Sequence, residues 1–171
     1  MPTDLAKLEV SRLKQGDDLT AFTSTDSDRD DFLKVFALTY QEENVGVSFL
    51  ARLGSELIGF FTISAAWIRV KRVEPRDQVQ ELEEMEYYPA LLIGQLAVDK
   101  RFEKQGVGKM LLQTIYGIAV QLQERIGIRF LLLSATPTSL SWWTARGFIA
   151  LRDQEDRRLP FLYLDVRKME R

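Results

Sequence analysis

The spacing of apolar and polar positions divides the chain into strand-like and helix-like segments. Residues 7–14 read as a first strand. From Asp28 to Tyr40, Phe32, Leu33, Phe36 and Leu38 recur at near-helical spacing, behind a Thr/Ser/Asp-rich lead-in that can supply an N-cap. Val47 to Leu53, then Gly54-Ser55, then Leu57 to Ile68 predicts a long hairpin around a tight glycine turn. Residues 69–88 are charged, contain Pro75 and end at Tyr88-Pro89, which predicts an irregular or partly helical excursion. Ala90 to Val98 is a Leu/Ile/Val-rich stretch suited to a buried strand. Beyond a glycine turn, Val107, Leu111, Ile115, Ile118 and Leu122 follow helical period to an end near Gly127. Ile128 to Ala135 is a second buried strand and Ser139 to Arg146 a short helix stopped by Gly147. Phe148 to Leu151 and Phe161 to Val166 close the pattern as strands. Two apolar strands joined through a glycine loop and a helix form a β–α–β unit with parallel strands. The class is therefore α/β (α+β) with a mixed sheet.

Composition narrows the chemistry. The 171 residues suit a single domain spanning 1–171, with no repeat or Pro/Ser linker to divide them. Cys and His are both absent. That removes thiol nucleophiles, disulfides, thiolate or imidazole metal sites and the Ser-His-Asp triad, so no metal centre is expected. Catalysis must rest on carboxylates, Lys, Tyr, Ser/Thr, backbone amides or a cosubstrate. The net charge of -2 counts against nucleic acid as a principal partner. Met1-Pro2-Thr3-Asp4 lacks the features of a signal peptide, and the run from Leu57 to Ile68 is shorter than the ~20 residues that cross a bilayer. A cytoplasmic location away from membranes is the expectation.

The segment Leu96-Ala97-Val98-Asp99-Lys100-Arg101-Phe102-Glu103-Lys104-Gln105-Gly106-Val107-Gly108-Lys109 is a strand, a polar loop, Gly-x-Gly-Lys and a helix start. Glycines let backbone amides turn toward one point, and a helix N-terminus adds about half a positive charge. The combination suits a phosphate or pyrophosphate, with Lys104 and Lys109 as supplementary cations. A Walker loop fails at Glu103 and at Met110, and a dinucleotide fingerprint fails at Leu111. An acyl-coenzyme A loop passes the residue check; a plain strand–helix connection is the competing reading.

From about residue 47 to 150 the chain resembles the GNAT superfamily of acyl-CoA N-acyltransferases. Leu96-Ala97-Val98 with Gln105-Gly106-Val107-Gly108-Lys109 is similar to its acetyl-CoA motif, and Ala145-Arg146-Gly147-Phe148 to its closing Gly-Phe element. Ile58-Gly59-Phe60-Phe61-Thr62-Ile63-Ser64-Ala65, then Tyr88-Pro89-Ala90, then Gln95-Leu96-Ala97-Val98-Asp99 look closer to one branch. That branch includes acetyltransferase toxins of toxin–antitoxin pairs, which acetylate the amino group of aminoacyl-tRNA. The resemblance implies a mixed, strongly twisted central sheet flanked by helices and acetyl-CoA as acyl donor. It implies a cofactor site of Leu96, Ala97, Val98, Glu103, Lys104, Gln105, Gly106, Val107, Gly108 and Lys109. The pantetheine arm would enter a splay between the strands ending at Val98 and near Ala135. A backbone N–H near Leu96 would stabilise the oxyanion, a donor that can contribute ~3–4 kcal/mol. Without Cys or His, direct attack by a neutral amine in a ternary complex is expected.

Two positions depart from the family pattern. Where the superfamily often has Tyr to protonate the leaving thiolate, four residues before Gly147, this chain has Trp143. Indole N–H donates a hydrogen bond but is no useful acid near neutral pH. A water or Ser141 would have to relay the proton, and Trp142-Trp143 can equally be read as core aromatics. Glu103 stands where Arg or Gln is usual, unfavourable beside pyrophosphate unless a lysine offsets it or it turns outward. On the acceptor side, Glu74, Asp77, Glu81, Glu83, Glu84 and Glu86 face Arg76 alone within their segment. That acidic run would attract a cationic amine and repel tRNA, or is simply a solvated face. Arg69, Lys71 and Arg72 just upstream form a basic strip. Tyr87 and Tyr88 are substrate-pocket or packing residues, and Glu83, Glu84 and Glu86 are the reachable general-base candidates. The expected acceptor is a primary amine on a small molecule or peptide. Aminoacyl-tRNA is the alternative acceptor, a catalytically weak acyl-CoA-binding protein is the non-enzyme alternative, and a homodimer is open.

Overall fold

The computed structural model describes residues 3–155 and 158–169; Met1 and Pro2 of the amino-terminal reading lie outside them. Seven strands form one mixed sheet in the order β1-β2-β3-β4-β5-β7-β6. They are β1 (Leu8–Arg12), β2 (Val47–Leu53), β3 (Glu56–Arg69), β4 (Tyr87–Val98), β5 (Phe130–Ser134), β6 (Ile149–Ala150) and β7 (Phe161–Asp165). β4 and β5 are parallel, pairing Ala90 with Phe130 and Leu92 with Leu132, as the β–α–β pattern requires. The chain divides into two compact units, Met1–Ser64 with Ile93–Ile115, and Ala65–Leu92 with Tyr116–Arg171.

In the first unit β1, β2 and β3 are antiparallel neighbours. The β2–β3 ladder pairs Ala51 with Gly59 but Arg52 with Leu57, so Ile58 is the extra residue of a bulge. Buried Ser48 and Thr62 face each other across this ladder and share a hydrogen bond of 2.6 Å between their hydroxyls. Above it pack Leu13, Phe22, Phe32, Leu33, Ala37, Leu50, Leu57, Phe60 and Ala97. The predicted first helix forms in three pieces: α1 (Ser27–Asp31), a π turn (Phe32–Phe36) and α2 (Ala37–Glu42). The Ala37 amide reaches back to the Phe32 carbonyl, an i→i−5 bond that inserts a residue into the helical count. Phe32, Leu33 and Ala37 turn inward, while Phe36 is left exposed rather than in the apolar stripe its spacing predicts.

α3 (Val107–Gln123) begins in the first unit. A Cβ at Gly59 would lie 3.0 Å from Leu111 Cδ1 and 3.2 Å from the Ala97 carbonyl oxygen. Glycine at that point of β3 lets the first turns of α3 settle directly on the strands.

In the second unit Ile68, Val73, Tyr88, Ala90, Phe130, Leu132 and Tyr163 form a core, with Phe130 edge-on to both Tyr88 and Tyr163. The 69–88 excursion is three 3-10 turns, Val70–Arg72, Pro75–Asp77 and Gln80–Leu82. Buried polar contacts pin it. The Tyr88 hydroxyl accepts from the Val79 amide at 2.8 Å, and the Tyr163 hydroxyl accepts from the Glu74 amide while donating to Asp77 Oδ2 at 2.8 Å. Lys168 Nζ donates to Asp77 Oδ1 at 2.7 Å. Burial pushes the Asp77 carboxyl up, but the bonds from Lys168 and Tyr163, with the charges of Lys168 and Arg76, outweigh it and hold it below 3.8.

A carboxyl whose folded value is depressed adds stability that is intact above the unfolded value and lost as pH falls through the folded one. Asp77→Asn is therefore expected to lower stability at pH 7 by about 2 kcal/mol, the scale of hydrogen bonds to a buried charge, or roughly 4–8 °C in melting temperature. Thermal melts of both proteins from pH 7 downward should show the gap closing below pH 3.8. A gap that widens in acid would contradict the assignment.

Candidate active site

Asp99, immediately after β4, sets the geometry of the strand-to-helix turn. Its side chain is 1% exposed, and its amide donates to the Ile58 carbonyl at 2.8 Å, the carbonyl of the bulge residue. Asp99 Oδ1 accepts from the Arg101 amide and Nε, both at 2.9 Å, and Oδ2 accepts from the Thr23 amide at 3.1 Å. Burial raises this carboxyl, but the Arg101 side chain, the two amides and the Arg101 charge more than compensate and keep it ionised below 3.8. So held, Asp99 caps the 3-10 turn Lys100–Phe102.

The chain then passes through left-handed backbone at Lys104 (φ 58) and Gly106 (φ 87) and enters α3, where the Met110 amide takes up the Gly106 carbonyl. Helix geometry leaves the amides of Val107, Gly108 and Lys109 without intrahelical acceptors. Lys104 and Lys109 are exposed beside them. The Glu103 carboxylate accepts from Thr25 Oγ1 at 3.1 Å, which turns it toward the loop before α1. Gln105 is held by its own bonds, donating to the Arg101 carbonyl and accepting from Thr3 Oγ1. Together these features make a short cradle of backbone donors and two cations, suited to a pyrophosphate.

Leu96, Ala97 and Val98 line the last turn-ward part of β4, with Leu96 and Val98 half-buried and Ala97 in the core. Beside Leu96, Gln95 Oε1 accepts from Arg29 Nη1 at 3.0 Å, and Arg29 is steadied by Asp26 at 3.2 Å. This tie between α1 and the middle of β4 left no signal in sequence spacing. The loop before α1 is itself closed by Ser24, whose amide and hydroxyl both donate to Asp30.

The remaining predicted residues belong to the second unit. Trp143 is 6% exposed on α4 (Leu140–Thr144), with its ring edge-on to Trp142 at 4.7 Å and to Phe148 at 5.2 Å. Ser141 is on the exposed side of the same short helix. Tyr88 is buried with its hydroxyl occupied by Val79, whereas Tyr87 is half-buried with its ring 5.9 Å from the exposed Trp67. Of the acidic run, Asp77 is buried and ion-paired and Glu86 meets Arg69 at 3.6 Å; Glu81, Glu83 and Glu84 are exposed. Among the described residues no cluster of three or more Asp or Glu could hold a metal, and no helix is long and apolar enough to cross a membrane.

Comparison with known proteins places this geometry. The model of the acetyltransferase (GNAT) family matches residues 15–148. The tRNA-acetylating toxin of Mycobacterium tuberculosis (strain ATCC 25618 / H37Rv) is 29% identical over 131 residues, 72% of this chain and 73% of the relative. A Tyr-to-Phe mutant of KacT superposes with a TM-score of 0.81 at 20% identity, covering 94% of this chain and 96% of that one. AtaT complexed with acetyl-methionyl-tRNAfMet superposes with a TM-score of 0.80 at 17% identity, covering 94% and 95%. GNAT acetyltransferases use acetyl-CoA as acyl donor. The loop between β4 and α3 falls inside the matched residues, and the chain belongs to the acetyltransferase (GNAT) family as an N-acetyltransferase.

Proposed function

We propose that this N-acetyltransferase transfers the acetyl group of acetyl-CoA to the α-amino group of an aminoacyl-tRNA, by direct attack in a ternary complex, with 1–171 acting as one acyltransferase domain. The Asp99-anchored turn supports the donor half of this reading. In it the amides at the start of α3, with Lys104 and Lys109, take the pyrophosphate. The bond between Glu103 and Thr25 relieves the conflict of a carboxylate at this loop. The Leu96 amide polarises the thioester carbonyl and the neutral amine attacks it. The C–N bond forms to give a tetrahedral oxyanion, the amine gives its surplus proton to water, and the oxyanion collapses as the C–S bond breaks and the thiolate leaves. A thiol with a pKa near ~8.5 is an adequate leaving group at neutral pH. Water is the available relay for its proton.

The acceptor half is supported by the mycobacterial relative, similar over most of both chains. The main electrostatic argument against tRNA is weaker than the sequence suggests, since Asp77 is neutralised internally by Lys168. A second reading, a small-molecule or peptide amine, draws on the exposed Glu81, Glu83 and Glu84. A cytoplasmic location fits either acceptor. Homodimerisation is supported by the position of β1 and β6 at the two ends of the sheet.

Incubation with labelled acetyl-CoA and charged tRNA should place label on the aminoacyl group, released by mild alkali with the amino acid. Label on free amines or peptides alone would favour the second reading, and acetyl-CoA binding without transfer to any amine would favour a catalytically weak binding protein. Trp143→Phe should keep kcat within about twofold, because the indole is packed and not an acid. A fall of a hundredfold, the scale of lost general-acid catalysis, would assign it a direct role.

A further inference from the structure

The last residues of β3 alternate in exposure: Ala65, Trp67 and Arg69 are exposed, and Ile68 between them is buried. At 70% exposure, Trp67 is the most open large apolar side chain among the described residues. Leaving so large an apolar side chain in water forfeits stability that packing could supply. Its ring is edge-on to Tyr87 at 5.9 Å and 68°, and the Arg69 guanidinium lies 5.2 Å from the Tyr87 ring centroid.

Arg69 also borders a second feature of this face. Arg69, Lys71 and Arg152 line an open depression of about 740 Å³, with Glu83, Glu86 and Asp153 as counter-charges. The Arg152 amide donates to the Arg72 carbonyl at 2.8 Å, which joins the two basic segments. The Arg69–Glu86 pair is 3.6 Å long with both side chains largely in water, so it holds Arg69 weakly. An exposed tryptophan against a tyrosine that carries an arginine matches single-stranded nucleic acid. Every base offers a π face to such a ring, and every linkage a phosphate.

We propose that Trp67, Tyr87 and Arg69 form a stacking platform for an unpaired base at the 3′ end of the acceptor tRNA, with Lys71 and Arg152 on its flanking phosphates. The platform rests on the aminoacyl-tRNA reading of the acceptor, and it adds the residues that grip the unpaired end. Trp67 packs on little else, so its substitution should leave the fold intact.

The test measures binding of a deacylated tRNA, with its 3′-terminal CCA intact or removed, to wild type, Trp67→Ala and Arg69→Ala, alongside acetylation of charged tRNA. Trp67→Ala should weaken binding of the intact tRNA about tenfold or more and leave binding of the trimmed tRNA unchanged. Arg69→Ala should weaken binding of the intact tRNA several-fold and leave binding of the trimmed tRNA unchanged. Equal affinity of wild type and Trp67→Ala for intact tRNA overturns the platform even where wild type acetylates aminoacyl-tRNA. Loss of binding together with a change in oligomeric state also overturns it, and makes Trp67 a contact between copies. Trp67-dependent binding without any acetylation keeps the platform and removes the proposed acceptor.

Discussion

A buried aspartate governs how β4 leaves the sheet. Asp99 accepts from two amides and a guanidinium and gives its own amide to Ile58. An ionised carboxylate with 1% exposure is tolerable only because each of these partners is in place. The bulge at Ile58 provides the carbonyl, the loop at Thr23 provides an amide, and the turn Lys100–Phe102 is fixed as a result. The left-handed residues Lys104 and Gly106 and the open first turn of α3 follow from that starting direction. Gly59 completes the arrangement by letting α3 lie close enough to β3 and β4 for its first amides to face the loop.

The same device recurs at the end of β7. Asp165 accepts from the Arg167 amide and side chain just as Asp99 does from Arg101, and it also pairs with Arg129 at 3.0 Å. Arg129 Nη2 in turn donates to the Asp77 carbonyl oxygen, and Asp77 receives Tyr163 and Lys168. This network ties the 3-10 turns between β3 and β4 to the carboxy-terminal segment. It converts one acid of an apparently uniform acidic run into a structural anchor. The surface charge of that segment is accordingly smaller than its composition suggests, and the aromatic–cation group at Trp67 lies beside it on the same unit.

Much of the fold was legible because its signals are local. The strand–glycine–helix–strand order from Ala90 to Ala135 carries apolar runs whose length and period separate strand from helix, and β4, α3 and parallel β5 appear where expected. The glycine loop stands out in the sequence, and the structure gives it left-handed backbone at Lys104 and Gly106. Other features depend on pairs distant in sequence. Nothing in the spacing shows that Glu103 turns to Thr25, or that Arg29 meets Gln95. The π turn defeats a helical count at Phe36 because a single inserted residue rotates every later position. Tyr87 and Tyr88 look equivalent in sequence, yet strand alternation buries Tyr88, whose hydroxyl accepts from the Val79 amide, and leaves Tyr87 beside Trp67. Trp143 illustrates the limit from the other side: its position is readable by motif, while its packing against Trp142 and Phe148 is not.

The central claim is that the Asp99-anchored turn and the first amides of α3 hold the pyrophosphate of acetyl-CoA. Thermal unfolding with acetyl-CoA, and with dephospho-CoA and ATP as controls, tests it most directly. At ligand near 100 times its dissociation constant, linkage gives ~2.7 kcal/mol, a rise of roughly 5–10 °C for a chain of this size. The account predicts that rise with acetyl-CoA and little with ATP. No rise at millimolar acetyl-CoA, or an equal rise with ATP, would contradict it.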